Sequence, residues 1–297
     1  MDKTTCFLHN TTYLMEDKME RDKFFLALDQ DLSCEYKSGK TYTSSYHHHD
    51  GYEIYLFLKG KANYYIEQNC YNMKRGCIFN IRPNELHRVE CFDHSIYERV
   101  SITIRTPILK KLSTGQTDLA KCFYSRPFGK SNLAYLNEHK INEFLFMVHK
   151  VENYINSKEY GHDILTMSYL NQILLFINCQ FLKNTNTSHI NAMPPIVNKT
   201  MQYIDEHLTE PIRMADVAKN IHHNATYISR CFKKVTGVPL QQYIIYKRII
   251  LAKKYLTEGY SLNDTCRLSG FNDYSNFTRT FKNQIGCSPK KYQEQPF

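Results

Sequence analysis

Two short helices predicted near the end of the chain present polar and basic side chains at matching positions. Ile228 and Phe232 in the first helix, and Phe277 and Phe281 in the second, follow a helical period and indicate the buried face. The positions left to face outward are Thr226, Tyr227, Ser229, Arg230 and Lys233 in the first helix and Ser275, Asn276, Thr278, Arg279 and Lys282 in the second. A slim, polar, basic helix fits the width of a DNA major groove. These residues therefore predict contacts with nucleic acid, and no catalytic residue is assigned.

The elements that must position these helices form the same unit twice. Residues 218–237 and 266–286 each contain a short helix, a tight polar turn and a second helix that closes on a Phe-Lys pair and a glycine. This pattern indicates a doubled helix-turn-helix. Asn224 is placed to cap the second helix of the first unit. Ser261, three residues before Asp264, predicts a capping box in the second.

Residues 240–256, between the two units, are predicted to form one continuous helix. At about 1.5 Å per residue this helix is roughly 25 Å long. It could hold the two outward-facing helices about 34 Å apart, which is one turn of DNA. One monomer would then contact two successive major grooves on one face of a duplex.

The basic charge of the chain is concentrated in the same segment. The 297 residues include 38 Lys and Arg against 29 Asp and Glu, and residues 196–297 hold 15 of the former and 8 of the latter. This segment therefore carries +7 of the net charge of +9. A basic excess confined to one segment favours a polyanionic partner, because a merely soluble surface would spread its charge more evenly.

An N-terminal β-domain is predicted over residues 31–105. Short β-branched and aromatic runs at 53–58, 62–66, 77–81 and 97–104 are separated by glycine or Asn/Asp turns. This pattern is typical of a sandwich or a small barrel.

Two helices and a linker are predicted to follow the β-domain. Residues 137–157 and 164–182 place apolar side chains at three- and four-residue steps. These helices could cover the β-domain or form a dimer seam, and the pattern leaves both open. Residues 184–195 are rich in Asn, Thr and Ser and end in two prolines, which indicates an interdomain linker.

Cysteine usage and hydropathy indicate the cellular compartment of the chain. Ten cysteines are scattered without a Cys-x-x-Cys pair, so a zinc ribbon is not expected and a reducing cytosol is favoured. The N-terminus lacks a basic-then-apolar signal peptide. The most apolar run, 170–182, is interrupted by Asn and Gln and is expected to fall short of a membrane span. The chain is therefore expected to be cytoplasmic, without a membrane partner.

The stretch SGFNDYSNFTRTFKNQIGCSPKKY at 269–292 resembles the signature of the AraC/XylS family of bacterial transcription regulators. The resemblance covers residues 196–292, including Arg248 and Ala252 on the long helix. It departs from the family pattern at Arg213, where a Ser or Thr cap is usual, and at Cys266, where alanine is usual.

This resemblance implies which outward-facing residues read DNA. The base-reading residues would be Thr226, Ser229 and Arg230 in the first unit and Ser275, Asn276, Thr278 and Arg279 in the second. Arginine offers a bidentate fork to guanine, and asparagine pairs with adenine. Lys233 and Lys282 lie further along each helix, where a phosphate contact is expected. The alternative for each arginine is an exposed charge or a backbone clamp.

Residues 47–60 resemble the first motif of the cupin superfamily, a small double-sheet barrel, because His-x-His is followed by Glu and Gly at the family spacing. Side chains two apart on a strand share a face, so His47 and His49 would point into the barrel together. His87 would reach in from a later strand. With Glu53, these imidazoles would make an open site for a transition metal.

Two departures weigh against a metal. Thr41 stands where the cupin motif has glycine, and residues 82–87 lack the second metal-binding motif. That segment resembles instead a turn of AraC-type sensors, with Asn84 in the place of a glycine because asparagine tolerates positive φ. Such sensors usually keep His and Glu without a metal, so no metal or other cofactor is assigned. Effector contact is predicted for His47, His49, Glu53, Tyr55, Tyr64 and His87, with Tyr65 as a further pocket wall. Purely structural hydrogen bonding is the alternative.

The expected fold class is α+β and multidomain. A cupin-like β-barrel or jelly roll (1–135) with a helical, dimerising extension (136–183) and a linker (184–195) precedes an all-α domain (196–297) of two helix-turn-helix units joined by a long helix. The resemblances imply a homodimeric transcription regulator that binds double-stranded promoter DNA and a small-molecule effector, and they favour a carbohydrate. They further imply an activator that can recruit RNA polymerase. The alternatives are a metal-dependent cupin enzyme fused to a DNA-binding domain and a ligand-free DNA-binding scaffold.

Overall fold

The computed structural model describes residues 30–40, 43–93, 95–183 and 191–294. Within these ranges the chain forms two compact units. The first contains residues 48–202 with the described residues before Ser45, and the second contains residues 203–294 with residues 45–47. The first unit is rich in β-strands and the second is built from helices, which confirms the expected α+β class. Thr41 lies outside the described residues.

The strands of the first unit pair into two antiparallel sheets. The strands are β1 (Leu32–Lys40), β2 (Gly51–Lys59), β3 (Ala62–Ile66), β4 (Asn69–Asn72), β5 (Cys77–Ile81), β6 (His87–Cys91), β7 (Ile96–Arg105) and β8 (Leu133–Tyr135). One sheet has the order β1-β7-β2-β5-β8 and the other has the order β4-β3-β6. The four strands predicted from β-branched and aromatic runs lie within β2, β3, β5 and β7, so this part of the prediction is confirmed.

The two faces of β2 contribute to two different cores. Successive side chains of a strand alternate between faces. Ile54 and Leu56 pack in a cluster that includes the helices of this unit. Tyr55 and Phe57 pack in a second cluster with side chains of the three-stranded sheet. Glu53 lies on the same face as Tyr55, and the alternation therefore buries its carboxylate between the two sheets.

Within the described ranges of the first unit, four helices accompany the sheets. They are α1 (Thr106–Leu112), α2 (Lys121–Tyr124), α3 (Glu138–Ile155) and α4 (His162–Lys183). The last two confirm the helices predicted at 137–157 and 164–182. Ile141, Phe144, Leu170 and Leu174 are fully buried in the core that these helices share with β2. Ile164, assigned to the apolar stripe from its spacing, is instead 67% exposed, because the first turn of α4 lies beyond the sheet core.

Helix α4 is long and apolar enough to cross a membrane by length and composition, with a mean hydropathy of 1.2. The predicted run, 170–182, is only part of this helix, and one helix of this kind does not indicate a membrane protein. A core helix passes the same test, and the buried face of α4 packs in the core of the first unit. Asn178 is buried, where its side chain accepts from the Cys122 amide and donates to the Leu119 carbonyl, at 2.9 Å each.

The segment before the second unit is held to an edge of the three-stranded sheet. Of the predicted linker, residues 184–190 lie outside the described residues. The Asn191 side chain accepts from the Cys70 amide at 2.9 Å and donates to the Gln68 carbonyl at 3.0 Å. The Ala192 amide donates to the Cys70 carbonyl at 3.0 Å. These bonds add residues 191–192 to the outer edge of β4, two residues before α5 (Pro195–Glu206) begins.

The second unit contains the predicted pair of helix-turn-helix motifs. The helices are α6 (Met214–Ile221), α7 (Ala225–Thr236), α8 (Leu240–Thr257), α9 (Leu262–Leu268), α10 (Tyr274–Ile285) and α11 (Pro289–Gln293). The outward-facing helices α7 and α10 have 12 residues each and end at Gly237 and Gly286, both in the left-handed region that favours glycine. The continuous helix predicted between the units is confirmed as α8, of 18 residues.

Side-chain caps begin these helices largely as expected. Asn224 accepts from the Thr226 and Tyr227 amides, and Ser261 accepts from the Asp264 amide. Arg213 makes no side-chain cap at the start of α6, in agreement with its departure from the family pattern. Gly270 has φ of +83°, and a Cβ at this position would lie 2.7 Å from the Leu208 carbonyl oxygen. Only glycine fits this turn.

Candidate nucleic-acid interface and effector site

Helix α7 exposes most of the side chains predicted to contact DNA. Thr226, Tyr227, Arg230 and Lys233 are exposed. Ser229 is half-buried, with its Oγ 4.0 Å from the Met214 Sδ. The prediction of an outward position is therefore too broad for this serine.

Helix α10 repeats this arrangement at every position. Ser275, Asn276, Arg279 and Lys282 are exposed. Thr278 is half-buried, and its Oγ1 is buried without a hydrogen-bond partner in the described part of the chain. Ser229 and Thr278 occupy the same position in the repeat. Each follows a buried residue directly and lies three residues before a buried phenylalanine, so the helical period places it at the border of the buried face.

The charge on the two helices has one sign. Arg230, Lys233 and Lys234 lie on α7, and Arg279 and Lys282 lie on α10. Neither helix contains an aspartate or a glutamate. An uncompensated positive surface on a narrow helix attracts phosphate groups.

A second cluster of polar side chains lies between the two sheets of the first unit. His49, Glu53 and His87 offer ligand atoms that all lie within 4.8 Å of one another. The Glu53 Oε2 is 3.2 Å from the His49 Nε2 and 3.1 Å from the His87 Nε2. The other carboxylate oxygen, Oε1, accepts from the Ser101 hydroxyl at 2.9 Å. All three members of this triad are buried.

The backbone determines which nitrogen of each imidazole carries hydrogen. The His49 Nδ1 lies 3.0 Å from the Gly51 carbonyl oxygen, and the His87 Nδ1 lies 2.9 Å from the Glu85 carbonyl oxygen. Because a carbonyl oxygen can only accept, Nδ1 is the donor in both rings. Two neutral rings would then direct two Nε2 lone pairs at one carboxylate oxygen, which is repulsive. A proton or a metal cation between Nε2 and Oε2 relieves this repulsion.

The pKa values of Glu53 and His87 shift in the direction that a shared proton requires. Burial alone would raise the pKa of Glu53, but hydrogen bonds from His49 and His87 hold this pKa well below its usual range. Burial alone would lower the pKa of His87, but the hydrogen bond and the charge of Glu53 raise this pKa above its ordinary value of 6.5. The triad therefore stabilises an ionised carboxylate beside a protonated imidazole.

His47 does not join this triad, contrary to the expectation that it would share a face with His49. Its Nδ1 contacts the Ser45 carbonyl at 2.9 Å, and its side chain is half-buried. The shared-face argument requires a regular strand, and β2 begins only at Gly51. Residue spacing alone could not show where the strand begins.

The predicted pocket tyrosines have different surroundings. Tyr55 and Tyr64 stack with ring centroids 4.7 Å apart, and Tyr64 meets the His87 ring edge-on at 6.1 Å. Both tyrosines are buried beside the triad. Tyr65 points to the other face of β3, where its hydroxyl donates to Glu90 at 2.7 Å and the Arg88 guanidinium lies 5.0 Å from its ring centroid. The expectation that Tyr65 lines the same pocket is wrong, because neighbouring strand residues alternate in direction.

Comparison with known protein families covers both units. Residues 30–172 match the family model described as the AraC-like ligand binding domain, and residues 217–295 match the model described as a helix-turn-helix domain. The chain belongs to the AraC family. It is a transcriptional regulator with a ligand-binding domain and a helix-turn-helix domain. The cupin-like character expected of the N-terminal domain is confirmed.

Relatives of this AraC-family chain carry regulatory names. The probable transcriptional regulator LumQ of Photobacterium leiognathi is 24% identical over 253 residues, which cover 84% of this chain and 92% of LumQ. The Msm operon regulatory protein of Streptococcus mutans is 23% identical over 253 residues, which cover 83% and 85% of the two chains. A solved structure of ToxT from Vibrio cholerae is 17% identical, with a TM-score of 0.35 and coverage of 89% of this chain and 97% of ToxT.

Several residues that shape the AraC-family units were not identified from the sequence. Asp273 caps α10 by accepting from the Asn276 amide at 2.6 Å. Its place directly before a helix was a usable signal. Glu85 and Arg126 form a buried ion pair in the ligand-binding domain, 41 positions apart. Local sequence carries no signal for such a pair. Asn84 adopts φ of +68°, which confirms the left-handed turn expected before His87.

Proposed function

We propose that the chain is a cytoplasmic, sequence-specific DNA-binding regulator that reads promoter DNA with α7 and α10 and activates transcription in response to a small-molecule effector. The main support is the repeated pattern on these two helices. Both expose an arginine and a lysine at equivalent positions, and neither carries an acidic residue. Two basic helices in one chain suit two successive major grooves.

Selection of bound duplexes from a randomised library by the full-length chain tests DNA reading. We expect an enriched sequence with two tracts about 10 base pairs apart, one for each helix. Footprinting on the enriched duplex should protect both tracts. Enrichment of no sequence, with binding that depends on salt alone, would contradict sequence-specific reading.

The proposed effector site includes His49, Glu53 and His87, with Tyr55 and Tyr64 beside them. The carboxylate and the imidazoles can accept and donate hydrogen bonds to hydroxyl groups, which is compatible with the carbohydrate that the family resemblance favours. A thermal-shift screen with sugars and related metabolites tests this site. An effector at 100 times its dissociation constant should stabilise the chain by about 2.7 kcal/mol. Loss of that shift in His87→Ala, with retained folding, would locate the effector at the triad. No shift with any compound would favour the ligand-free scaffold.

A homodimer is proposed through the exposed face of α4. Leu165, Leu175 and Leu182 are exposed at intervals of ten and seven residues. Between Asp163 and Lys183 the helix contains no charged residue. An uncharged helix face with leucines at coiled-coil spacing suits a second copy of the same helix.

In-vitro transcription with purified RNA polymerase tests activation, since a repressor would lower the transcript yield from the selected promoter.

A metal-dependent cupin enzyme fused to a DNA-binding domain is the second candidate. The observation that favours it is the convergence of two Nε2 atoms and one carboxylate oxygen, with each Nδ1 bonded to a backbone carbonyl. His49, Glu53 and His87 could therefore hold a transition metal, and its chemistry would be that of a Lewis acid or redox centre. Metal analysis of the purified chain separates the candidates. Stoichiometric iron, manganese or zinc that is lost in His49→Ala would support the enzyme.

A further inference from the structure

In α7, Tyr227 lies between the helix cap, Asn224, and Arg230, the arginine proposed to read DNA. The Asn224 Oδ1 accepts from the Tyr227 amide at 3.3 Å, which holds the backbone of the first turn. The Arg230 guanidinium carbon lies 5.7 Å from the centroid of the Tyr227 ring, one turn further along. This distance is within the range of a cation–π contact. Because the contact uses the face of the ring, it leaves the N–H donors of Arg230 available.

Helix α10 has the same three-residue spacing with a different contact. The Asp273 Oδ1 accepts from the Asn276 amide, and the Asn276 Oδ1 in turn accepts from the Arg279 Nη2 at 3.3 Å. The Thr280 hydroxyl also donates to that oxygen, at 3.4 Å. The carboxamide of Asn276 is therefore bonded to the guanidinium from the side, whereas the tyrosine ring in α7 lies against its plane.

We infer that Tyr227 and Asn276 are positioning residues, which hold Arg230 and Arg279 in their reading conformations before DNA binds. This inference rests on the proposed base reading by the two arginines. A long arginine side chain loses rotamer freedom when it docks on a base edge. A contact that already restricts the guanidinium in free protein reduces that loss. The repeated spacing of cap, positioning residue and arginine places this restriction at the same point of both helices.

The competing role is direct contact with DNA. A tyrosine hydroxyl can donate to a phosphate, and asparagine can pair with adenine. The two roles differ in one measurable respect. A positioning residue has no effect once its arginine is removed, whereas a residue that touches DNA keeps its own contribution. A double-mutant cycle measures this difference.

The first experiment measures dissociation constants of the full-length chain for a duplex selected from a randomised library by the wild type. The proteins are wild type, Tyr227→Phe, Tyr227→Leu, Arg230→Ala and the double variant that combines Tyr227→Leu with Arg230→Ala. We expect Tyr227→Leu to weaken binding about two- to fivefold, the range of an exposed cation–π contact. Tyr227→Phe, which keeps the ring, should bind like the wild type. In the Arg230→Ala background, Tyr227→Leu should change nothing. Binding to a duplex of random sequence should be unaffected by Tyr227→Leu.

Each other outcome has a definite meaning. If Tyr227→Leu weakens binding equally in both backgrounds, or if Tyr227→Phe is as damaging as Tyr227→Leu, the tyrosine contacts DNA itself and the positioning role is overturned. If Arg230→Ala binds the selected duplex as tightly as wild type, base reading by Arg230 fails first, and the inference fails with it. Thermal unfolding midpoints within about a degree of wild type identify variants that fold normally; both side chains are exposed, so normal folding is expected.

The second experiment repeats the cycle on α10 with Asn276→Ala, Arg279→Ala and the double variant. Loss of one hydrogen bond to the guanidinium should weaken binding about two- to tenfold. In the Arg279→Ala background, Asn276→Ala should not weaken DNA binding further. A preserved loss in that background would assign Asn276 to direct base contact and would overturn its positioning role.

Discussion

Glu85 and Arg126 form a bidentate ion pair in the interior of the ligand-binding domain. The Arg126 Nη1 and Nη2 atoms donate to the Glu85 Oε1 and Oε2 atoms, both at 2.7 Å. The Gly129 amide and the Asn132 side chain donate to the same carboxylate at 2.7 and 3.0 Å. Burial alone would raise the pKa of Glu85, but the hydrogen bonds and charge of Arg126 outweigh burial and lower this pKa below its ordinary value of 4.5.

This pair predicts an acid-sensitive domain. Because the folded pKa of Glu85 is lowered, its contribution to the free energy of unfolding is complete above pH 4.5 and is lost as the pH falls through the folded value. Arg126→Met should destabilise the chain by about 3–5 kcal/mol at pH 7, since it removes the cation bonded to both carboxylate oxygens and leaves the more distant Arg82 Nε, 3.6 Å from the Glu85 Oε1. In that variant burial should raise the pKa of Glu85, so the Glu85 contribution to the free energy of unfolding should rise toward lower pH, whereas in the wild type this contribution falls below pH 4.5. Urea unfolding across pH 4–8 measures both.

The exposed pair of Arg75 and Glu138 is the matched control for this prediction. Their side chains are bonded at 2.8 Å but are largely accessible to solvent. Glu138→Gln should change the free energy of unfolding far less than Arg126→Met does, because solvent screens the exposed pair. A similar loss in both variants would contradict the importance assigned to burial.

Arg279→Ala should reduce specificity more than affinity. A bidentate contact between arginine and guanine contributes about 1–3 kcal/mol of discrimination. We therefore expect the selected duplex to bind roughly 5- to 150-fold more weakly, while binding to random DNA falls much less. Arg230→Ala should behave alike. Competition titrations with both duplexes measure the ratio. Equal losses on the two duplexes would mean that these arginines contact phosphate only.

Lys233→Ala should change the salt dependence of DNA binding. Lys233 is exposed near the end of α7, where a phosphate contact is expected. Its removal should weaken binding to every sequence about equally and reduce the slope of log K against log salt by about one. Titrations at several salt concentrations give this slope. A slope equal to that of the wild type would remove the role proposed for this lysine.

Leu175→Glu should dissociate the proposed dimer. Leu175 is 46% exposed at the middle of the uncharged face of α4. A symmetric interface would bury two copies of it, so the dimer dissociation constant should rise by about a hundredfold or more. Tyr160→Glu is the control, because Tyr160 is fully exposed outside α4. Sedimentation velocity distinguishes monomer from dimer. A dimer that persists in Leu175→Glu would place the interface elsewhere.

Asn191→Ala should loosen the attachment of residues 191–193 to β4. The side chain accepts from the Cys70 and Met193 amides, at 2.9 and 3.0 Å, and its loss leaves both donors without this acceptor. We expect faster hydrogen exchange at the Cys70 amide and a cost of about 1–3 kcal/mol. Asn72→Ala is the control, since its side chain donates a long, solvent-exposed hydrogen bond to the Asn63 Oδ1 at 3.4 Å. Unchanged exchange at Cys70 would show that the backbone bonds suffice.

The helical unit was predictable because its determinants are local. The period of Ile228 and Phe232, the asparagine cap at 224 and the glycine at 237 lie within one helix and its ends. Each acts through residues no more than four positions away, so their spacing specifies the fold directly. The concentration of basic charge in residues 196–297 and the long helix α8 were likewise predictable from the sequence.

The border of the buried face was decided only by packing. Ser229 and Thr278 directly precede the exposed residues Arg230 and Arg279, and their partial burial depends on which neighbouring helix covers that position. Helical period predicts a face to within about one residue. The structure was needed to separate these two hydroxyls from the exposed arginines beside them.

The ligand-binding triad depended most on tertiary structure. Histidine and glutamate at family spacing indicated a cluster, but membership depended on where β2 begins and on the register that pairs Ile66 with His87. The packing of the three-stranded sheet, which holds His87, against the sheet that contains β2 brings His87 to Glu53, 34 positions away, and leaves His47 outside. The contacts of Glu85 with Arg126 and of Asn191 with Cys70 have the same origin. Residue types and short-range periodicity are properties of the sequence, whereas the pairing of distant strands depends on the packing of the whole domain.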